Sequence, residues 1–581
     1  MSASSNREVI RLFSGLVDLT KLDECSAQSF RVRAYEKAAS ALSELDRDVA
    51  DMTAADLAKL PGIGASSAKK IREVVDTGTM EKVEKLRKAY PPALLELTRI
   101  PGLGPKTVLL LRDQLGVEDV DGLKEAIAGE RIRELPGMGA KSEEKLAHAI
   151  ERLGMHGKDR RTPIAEALPI AEEIVAALSG VAGVKSVQYC GSLRRFRETI
   201  GDIDILVAST QPEIASEAFV ELPIATEVVA KGETKSVILV SGGLQVDLRV
   251  VPPSSFGAAV MYFTGSKQHN IELRQRAIDR GWTLNEYGLS DVETDEVIAS
   301  KTEKAIYAAL DLPYVAAELR EGIGEIASAS TGELPKLVEE RHIKGDLHVH
   351  SDWSGDGRAP LEAMLDGAAA RGLAYVAITD HAEGLAINGL SRDRMLEQRE
   401  VLAAMRAKHD DMEILHGAEL NIAPDGSVDW DDDFLEGFDW GVASVHSHFD
   451  LDAETQTQRL ITAMETPGVN AIGHLSGRMI GRRPGIEFDV DAVLDAAERT
   501  RCAIEINGHL DRLDATAEVL RRARGRDITF VLDTDAHAIS EYRNVTWAVH
   551  QSRRGWVDKS AVANTWPVKK FLNWVDRKRR R

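Results

Sequence analysis

Hydrophobic and polar residues alternate through the middle of the chain, as is typical of strands that bury one face. The segments 184–190 and 203–207 read as one pair of strands. The segments 236–240 and 244–250 read as a second pair, joined by two consecutive glycines that are a strong hairpin signal. The pattern predicts a half-buried sheet with polar side chains aligned on one face.

Three aspartates lie on these predicted strands. Residues two apart on a strand point to the same face, so Asp202 and Asp204 project together, and Asp247 on the second hairpin can join them. Carboxylates this close repel each other unless cations lie between them. Two such cations against phosphate oxygens can stabilise the attacking and the leaving oxygen of a displacement. The alternative is that Asp202 and Asp204 only cap an exposed strand edge.

A second pattern follows residue 340, where short apolar runs end in side chains that can bind metals. Six such runs end in histidine, glutamate or aspartate, and 12 of the 15 histidines fall in this part. The runs alternate with helical patterns such as 359–371 and 490–499, which predicts a parallel α/β barrel whose strand ends meet at one mouth. A lone strand-end histidine is more often structural. Six such runs in one domain, rich in His and Asp and poor in Cys, favour a multinuclear Zn, Mn or Fe centre.

The sequence Pro-Gly-x-Gly occurs three times near the amino terminus, at 61–64, 101–104 and 136–139, and a helical pattern follows each copy. A glycine hairpin that opens a helix presents bare amides and the positive end of the helix dipole, which suits a phosphate. One copy could be only a turn between helices, but three argue against that. The motif resembles the helix-hairpin-helix, which binds the DNA backbone without reading its sequence. The predicted DNA contacts are Gly62, Gly64, Gly102, Gly104, Lys106, Gly137 and Gly139.

The composition is that of an ordinary soluble protein, with 43% hydrophobic and 29% charged residues. A chain of 581 residues is too long for one core and predicts about three to five domains. No apolar run reaches the roughly 18 residues of a membrane span, and residues 1–11 lack a signal-peptide core. The three cysteines are far apart in sequence. We therefore expect a reducing, cytoplasmic location and no membrane partner.

The net charge of −20 at first opposes nucleic-acid binding. Its distribution changes that conclusion, because residues 1–160 balance to 0, residues 161–340 carry −11 and residues 341–581 carry −9. Bound cations would offset part of the carboxylate charge. We therefore expect DNA binding to depend on local phosphate contacts and not on a broad basic face.

The segment before the first aspartates carries Gly191-Ser192, Arg194-Arg195 and Gly201-Asp202-x-Asp204. A Gly-Ser pair lets backbone amides approach a phosphate, and Ser192 and Arg195 can donate to its oxygens. This spacing resembles the nucleotidyltransferase palm of the family X DNA polymerases. The resemblance implies that Asp202 and Asp204 hold Mg²⁺ or Mn²⁺ with the nucleotide, and that Asp247 orients or deprotonates the primer 3′-hydroxyl. It also implies nucleotide contacts at Gly191, Ser192, Arg195 and Gly201.

A Tyr-Phe-Thr-Gly-Ser turn follows the predicted hairpin, with an asparagine and then an arginine close behind. In the family that it resembles, this turn lies against the incoming sugar, and its aromatic pair disfavours a ribose 2′-hydroxyl. The asparagine meets the base edge, and the arginine contacts the template strand. The alternative is a surface aromatic turn. The resemblance implies templated synthesis, with nucleotide contacts at Tyr262, Phe263, Gly265, Asn270 and Arg274.

The segment 30–39 resembles the amino-terminal lyase domain of the same family. There a lysine after the first hairpin forms a Schiff base with an abasic sugar, and Lys70 falls at that place. Arg31, Tyr35 and Lys69 could surround a 5′-phosphate. Ser66 stands where family members often have another lysine. The alternative is that Lys70 is one solvated helix lysine among many, and the sequence leaves both open.

The histidine-rich segments resemble the PHP phosphoesterase domain, which is fused behind family X polymerases in many bacteria and archaea. The resemblance implies up to three Zn²⁺ or Mn²⁺ ions and water attack on a phosphodiester. The loop after the first histidines is one residue longer than usual, so Asp352 competes with Asp356, and a leucine follows His474 where proline is common. The implied ligands are His348, His350, Asp356, His381, Glu419, His446, His474, Asp535 and His537.

The predicted fold class is multidomain, with a helical helix-hairpin-helix region, an α+β palm and thumb, and a carboxy-terminal PHP-type α/β barrel. The predicted boundaries are 1–90 for a lyase-like domain, 91–158 for fingers, 159–255 for the palm, 256–326 for the thumb, 327–340 for a linker, 341–575 for the PHP domain and 576–581 for a basic tail.

The resemblance implies a monomeric enzyme that uses dNTPs to fill short gaps in damaged DNA, on gapped or primer-template DNA with a 5′-phosphate. Its PHP site would act as a 3′→5′ exonuclease, and in some members as an abasic-site endonuclease or 3′-phosphatase. One alternative is a PHP nuclease whose palm only positions DNA. Another is a non-catalytic scaffold for DNA ends that uses only its three hairpins.

Overall fold

The computed structural model describes residues 3–26, 29–43, 49–60, 62–98, 100, 103–152, 161–385 and 387–579. The chain divides into two compact units. The first contains residues 1–160 and 481–483, and the second contains residues 161–480 and 484–581. Among the described residues, no helix is both long enough and apolar enough to cross a bilayer.

Within the described residues of the first unit, all regular secondary structure is helical. Two apolar clusters form its interior, one around Phe13 and Ile71 and the other around Leu97 and Leu123. The helices are α1 (Ala3–Asp23), α2 (Phe30–Ser43), α3 (Ala54–Leu57), α4 (Ala65–Thr77), α5 (Glu81–Ala89), α6 (Pro92–Leu97), α7 (Pro105–Leu115), α8 (Val120–Ala128) and α9 (Ala140–Arg152).

The three Pro-Gly-x-Gly segments each precede a helix, as predicted. Gly64, Gly104 and Gly139 directly precede α4, α7 and α9. Gly62 and Gly137 have φ values of 83° and 79°, a backbone conformation that favours glycine. Lys106 lies in the first turn of α7, whereas Gly102 lies outside the described residues.

The palm is built on a five-stranded sheet with the order β2-β4-β7-β6-β5. The two predicted strand pairs are confirmed, because β2 pairs antiparallel with β4, and β6 forms an antiparallel hairpin with β7. The elements are β1 (Thr162–Pro163), α10 (Ile164–Ser179), β2 (Val184–Tyr189), α11 (Gly191–Arg194), β3 (Thr199–Ile200), β4 (Asp202–Ser209), α12 (Pro212–Val220), β5 (Glu227–Ala230), β6 (Lys235–Leu239) and β7 (Gln245–Val251).

The thumb follows as helices and a three-stranded sheet, β10-β9-β8. Its elements are α13 (Phe256–Thr264), α14 (Lys267–Ile278), β8 (Trp282–Leu284), β9 (Leu289–Asp291), β10 (Val297–Ala299), α15 (Glu303–Ala309) and α16 (Glu325–Thr331). The predicted linker at 327–340 is partly helical and not a loop throughout. It begins inside α16, whose Ile326 and Ala329 are buried in the thumb core, because an alanine-rich segment with these two apolar residues forms and buries one helical face.

The carboxy-terminal part is the predicted barrel, a seven-stranded parallel sheet in sequential order. A bridge between Val349 and Ala536 brings its first and last strands together and nearly closes it. The strands are β11 (Gly345–Val349), β12 (Tyr375–Ile378), β13 (Glu413–Asn421), β14 (Trp440–Ser444), β15 (Ala471–Ile472), β16 (Ala503–Asn507) and β17 (Phe530–Asp533).

Helices surround the barrel strands. They are α17 (Leu361–Ala370), α18 (Arg392–Arg406), α19 (Asp432–Leu435), α20 (Ala453–Glu465), α21 (Val490–Thr500), α22 (Ala517–Arg522), α23 (Asn544–Arg554) and α24 (Val568–Arg579). Phe571 of α24 stacks on Tyr375 and packs with Trp440 in one apolar cluster. Of the predicted basic tail, residues 576–579 end α24, and residues 580–581 lie outside the described residues.

Candidate active sites

The three predicted palm carboxylates meet on two neighbouring strands. Asp204 lies directly opposite Asp247 in the parallel pairing of β4 with β7, and Asp202 begins β4 on the same face. Burial, and then the carboxylates of Asp202 and Asp247, raise the pKa of Asp204 to about 7. Burial and Asp247 also raise the pKa of Asp202. Three acids whose negative charges oppose one another form a site that favours divalent cations.

Because Gly191 has no side chain, the Asp204 carboxylate can lie against the backbone of the Gly-Ser pair. Its φ is 60°, and a β-carbon there would stand 2.2 Å from Oδ2 of Asp204. The Cys190 amide donates to the Asp204 carbonyl oxygen at 2.8 Å, which fixes the two segments together. Half-buried Ser192 follows, so a phosphate at its hydroxyl would lie close to the cation site.

Arg195 connects the Gly-Ser segment with the aromatic turn. Its guanidinium donates from Nη1 to the Thr264 carbonyl at 2.6 Å and from Nε to Glu321 at 3.1 Å. Gly265, next in the turn, has φ 67° and ψ −148°, a conformation that is essentially restricted to glycine. Gly201, the remaining predicted glycine, is exposed directly before β4.

Of the residues expected to meet the nucleotide sugar and base, Tyr262, Asn270 and Arg274 line one cleft. Tyr262 and Phe263 pack edge to face with ring centres 5.1 Å apart. Asn270 donates from Nδ2 to the Tyr262 carbonyl at 2.8 Å, and the Arg274 guanidinium lies 5.3 Å from the centre of the Tyr262 ring. Asn285 completes the wall. These contacts hold the aromatic face and the two polar side chains as one surface.

Lys70 lies on α4 of the first unit in a partly buried position. Its Nζ donates to Ser66 Oγ at 3.0 Å and lies 5.5 Å from the centre of the Tyr35 ring. Burial is the main cause that lowers the pKa of the Lys70 amine, and a lowered pKa raises the fraction of neutral, nucleophilic amine. Arg31 forms an ion pair with Glu24 at 3.1 Å. Ser66 is therefore a hydrogen-bond partner of Lys70.

The nine predicted ligands of the barrel converge at the carboxyl ends of its strands. Seven of these residues form three groups of three, and within each group the possible ligand atoms lie within 4.8 Å of one another. Glu419 and Asp535 belong to different groups. The groups are His350, His381 and His537; His348, His350 and Asp535; and His381, Glu419 and His446. His474 joins through Nε2, which lies 2.9 Å from Glu419 Oε1. Asp356 joins through His381 and His537, whose Nε2 atoms lie 3.1 and 3.7 Å from it.

Buried atoms without partners show that this cluster suits metal ions. Among the described residues, Nε2 of His348, both ring nitrogens of His350 and Oδ1 of Asp356 are buried without a hydrogen bond. Such orphaned nitrogen and oxygen atoms would each cost free energy unless an ion bound them. The N/O donor set with no thiolate suits Zn²⁺, Mn²⁺ or Fe.

The charges within the cluster put His350 and Glu419 in their ligating forms. Burial, and then the imidazoles of His537 and His381, lower the pKa of His350 to about 3, so this ring is neutral. Burial alone would raise the pKa of Glu419, but His446 and the other surrounding imidazoles hold it well below its usual range. Neutral imidazole and ionised carboxylate are the forms that bind metals.

The fold decides between the two competing aspartates. Asp352 is exposed, and its Oδ1 accepts from the Leu361 amide at 3.2 Å at the start of α17. Asp356 lies with the imidazoles and also accepts from Asn388 at 2.8 Å. The longer loop therefore still brings Asp356 to the cluster.

Glu505 is a further member of this site that the sequence did not indicate. It is fully buried, and its Oε1 lies 2.6 Å from His348 Nδ1, which leaves Nε2 of that ring facing the cluster. Its other oxygen accepts from the His474 amide. The available signal was a carboxylate inside the apolar run that becomes β16, where an unpaired acid is costly. A carboxylate behind a ligating histidine orients the ring and fixes its tautomer.

Family models match the chain in five stretches. They are described as a helix-hairpin-helix domain at residues 4–80, a SAM-like helix-hairpin-helix tandem at 94–152, a DNA polymerase beta palm at 161–272, a DNA polymerase beta thumb at 259–321 and a PHP domain at 346–524. This order agrees with the predicted sequence of helical region, palm, thumb and barrel.

Individual relatives match either the whole chain or a part of it. The DNA polymerase/3′-5′ exonuclease PolX of Bacillus subtilis is 38% identical over 97% of this chain and 98% of its own length. DNA polymerase lambda of Rattus norvegicus is 28% identical over 51% of this chain and 53% of its own. A probable phosphatase of Vibrio atlanticus is 28% identical over 34% of this chain and 78% of its own. The chain is therefore an enzyme of the family X DNA polymerases, in the group that carries a carboxy-terminal PHP domain.

Proposed function

We propose that this chain is a templated DNA polymerase for short gaps in damaged DNA, and that its barrel is a metal-dependent 3′→5′ exonuclease for the same primer ends. The observation that carries the polymerase half is the meeting of Asp202, Asp204 and Asp247 beside the backbone of Gly191. The nearly complete match to PolX of Bacillus subtilis, named a DNA polymerase and 3′-5′ exonuclease, supports both halves.

In the palm, Asp202, Asp204 and Asp247 would hold Mg²⁺ or Mn²⁺, which when bound neutralises charge on the attacking and leaving oxygens. Asp247 is suited to orient the primer 3′-hydroxyl and accept its proton. Ser192 and Arg195 would donate to the triphosphate. The aromatic face of Tyr262 would pack against the sugar, which disfavours a 2′-hydroxyl.

The same cleft supports copying over untemplated addition. Asn270 and Arg274 flank Tyr262 through a hydrogen bond and a cation–π contact, so both are held where a base pair above the sugar would lie. The asparagine amide can bond the minor-groove edge of the incoming base, and the guanidinium can bind the template strand. Correct geometry of the pair would then set how well the reacting oxygens align.

In the barrel, the nine ligands would hold up to three Zn²⁺ or Mn²⁺ ions, which when bound supply water acidic enough to attack a phosphodiester near neutral pH. Neutral His350 and ionised Glu419 offer lone pairs to such ions, and Glu505 holds His348 in the required orientation. A 3′-terminal phosphodiester is the proposed substrate. Abasic-site and 3′-phosphate ends present the same phosphorus chemistry, and the likeness to a probable phosphatase supports testing them.

The first unit would supply the DNA contacts. Its helix-opening glycines present backbone amides to phosphates, and Lys70 with its lowered pKa supports a Schiff base with an abasic sugar beside a 5′-phosphate. We assign the enzyme to DNA repair as a monomer. A reducing compartment such as the cytoplasm suits its three free cysteines.

The test uses a labelled primer on one-nucleotide-gapped DNA with a 5′-phosphate, with Mn²⁺ or Mg²⁺, and with or without dNTPs. Asp204→Ala is expected to lose extension and keep shortening of the primer, whereas His350→Ala loses shortening and keeps extension. His448→Ala, at an exposed histidine of the same barrel, is the matched control and keeps both. Wild-type protein that never extends the primer would refute the polymerase assignment, and shortening that survives His350→Ala would refute the barrel assignment.

A further inference from the structure

The turn at residues 195–198 connects the two halves of the nucleotide motif. It begins at Arg195, directly after α11, and leads through Glu198 into β3 and the aspartates of β4. Its position therefore sets how the Gly-Ser segment and Arg195 are aimed relative to Asp202. Phe196 in this turn has φ 57°, a conformation that a non-glycine side chain adopts only when its surroundings hold it there.

The surroundings that hold this turn belong to the barrel. Arg554, the last residue of α23, donates from Nη1 to the Arg195 carbonyl at 2.7 Å. His550, one turn earlier on the same helix, stacks on Phe196 with ring centres 4.8 Å apart. Arg478 donates two hydrogen bonds, of 2.9 and 2.8 Å, to the Glu198 carboxylate. Three of the four turn residues are thus held from one side.

Glu321 of the thumb segment joins the same arrangement. It accepts from Arg195 Nε at 3.1 Å and lies 3.2 Å from Arg554 Nη1. One carboxylate therefore holds the proposed phosphate-binding guanidinium and the barrel guanidinium together. Because Arg554 is 6% exposed, its hydrogen bonds are shielded from water and are stronger than those of a surface ion pair.

Apolar packing supports the polar contacts. Ile480, Leu510 and Leu513 of the barrel loops lie in the same buried cluster as Phe196 and the palm strands. The palm core is thus completed by the barrel, so the two parts do not touch only through a solvated rim. Such continuous packing transmits a displacement of one part to the other.

The barrel end of this contact lies beside its own metal ligands. Arg478 follows His474 by four residues and also donates to the carbonyls of Arg512 and Leu513. Arg512 in turn lies 3.5 Å from the Asp535 carboxylate. The loops that carry the barrel ligands and the turn that aims Arg195 thus share one support.

We propose that Arg554 and Arg478 of the barrel are positioning residues of the polymerase nucleotide site, acting through the turn 195–198 on Arg195. The inference rests on the proposed polymerase function of the palm. It makes the barrel a working part of the polymerase and not only an attached nuclease. Both arginines contact the turn and not the three aspartates, so the proposed effect, through Arg195, is on nucleotide binding.

The experiment measures single-nucleotide incorporation into one-nucleotide-gapped DNA by the full chain, with kcat and the KM for the dNTP determined separately. Arg554→Ala is expected to raise the KM about tenfold with kcat nearly unchanged, because ground-state binding of the triphosphate is what Arg195 supplies. Arg554→Lys, which can keep one donor to the Arg195 carbonyl, is expected to lie between wild type and Arg554→Ala. The 3′→5′ exonuclease rate on single-stranded DNA should stay at the wild-type value.

Two further variants separate positioning from folding. Glu198→Gln is a gentle change at a half-buried carboxylate and is expected to raise the dNTP KM in the same direction. Arg526→Ala breaks ion pairs with Asp491 and Asp495 elsewhere in the barrel and is expected to leave the KM unchanged.

The outcomes distinguish a failure of the positioning inference from a failure of the proposed polymerase function. A wild-type KM in both Arg554→Ala and Glu198→Gln would overturn the inference. The inference would also be overturned if every interface variant lost both incorporation and exonuclease activity and had a lowered melting temperature. That result would mark a structural role alone. Wild-type protein that incorporates no nucleotide would instead refute the proposed function, and that failure is visible before any variant is made.

Discussion

Asp204 is the residue whose ionisation links cation binding at the polymerase site to pH. Burial and the two neighbouring carboxylates raise its pKa to about 7, so it binds a proton in the metal-free site up to nearly neutral pH. A cation must displace that proton. Below about pH 7 the apparent Mg²⁺ affinity should therefore fall, by about tenfold per pH unit if one proton is displaced.

The measurement is the Mg²⁺ concentration that gives half-maximal incorporation at pH 6, 7 and 8. The half-saturating concentration is expected to rise steeply from pH 7 to 6 and little from pH 8 to 7. In chelator, Asp204→Asn should be more stable than wild type, with a larger gain at pH 8 than at pH 5, because a raised carboxylate pKa costs stability once the group must ionise. A half-saturating concentration independent of pH would contradict this assignment of the proton.

Gly191 gives a second prediction at this scale. Gly191→Ala places a β-carbon 2.2 Å from Asp204 Oδ2 in a backbone conformation of φ 60°. The carboxylate must move, so incorporation should fall by at least about a hundredfold while exonuclease persists. Gly332→Ala is the matched control, since Gly332 has φ 75° and no atom within 4 Å of its added β-carbon. Equal losses in both variants would show that backbone strain, and not the clash with Asp204, is responsible.

Single residues were predictable where a local rule fixes them. The period of two along a strand was enough to place Asp202 and Asp204 on one face. It could not choose between Asp352 and Asp356, because that choice depends on which carboxylate the chain uses to begin α17. Nor could it identify Glu505, whose partner His348 is distant in sequence and adjacent only in the folded barrel.

At the scale of elements, β16 supports the metal site without supplying a predicted ligand. Glu505→Gln keeps the shape of the side chain but removes the charge behind His348, so metal affinity of the barrel should fall by about 10- to 100-fold. Bound Mn²⁺ measured by elemental analysis, and the Mn²⁺ dependence of exonuclease, report this loss. Incorporation by the palm should be unchanged.

The same substitution at Glu413, an exposed glutamate at the start of β13, is the control. Metal content equal to wild type in Glu505→Gln would show that the hydrogen bond to His348 is dispensable. Loss of metal in both variants would point to general destabilisation of the barrel.

Elements were predicted well where their signal is local. The β6–β7 hairpin and the helix-opening glycines carry their own turn chemistry. The parallel pairing of β4 with β7, which brings Asp204 opposite Asp247, joins strands separated by two others in sequence, so no local pattern encodes it. Helix α16 was predicted as part of a linker because small polar residues suggest a loop, whereas burial of Ile326 in the thumb decided its structure.

At the scale of the whole molecule, composition described the chain poorly. The net charge of −20 hides carboxylates gathered at two sites where cations are expected. The contact of Arg554 with Arg195 joins residues far apart in sequence, and such packing between the barrel and the palm follows from shape and not from any motif. The sequence therefore predicted the parts, and the structure was needed to show that palm and barrel share a core.

That shared core makes metal binding a property of the whole second unit. Among the described barrel residues, Nε2 of His348 and both ring nitrogens of His350 are buried without hydrogen bonds, so metal removal leaves polar atoms unpaired in the interior. An ion that binds only the folded state, at a free concentration a hundred times its Kd, stabilises that state by about 2.7 kcal/mol.

The melting temperature of the full chain should thus rise by several degrees when Mn²⁺ is added after chelation. His350→Gln should lose most of that rise, whereas His448→Gln should keep it. An equal rise in His350→Gln would mean that the stabilising ion binds elsewhere, and since Asp202, Asp204 and Asp247 form the other carboxylate site, Asp204→Asn would then have to abolish it.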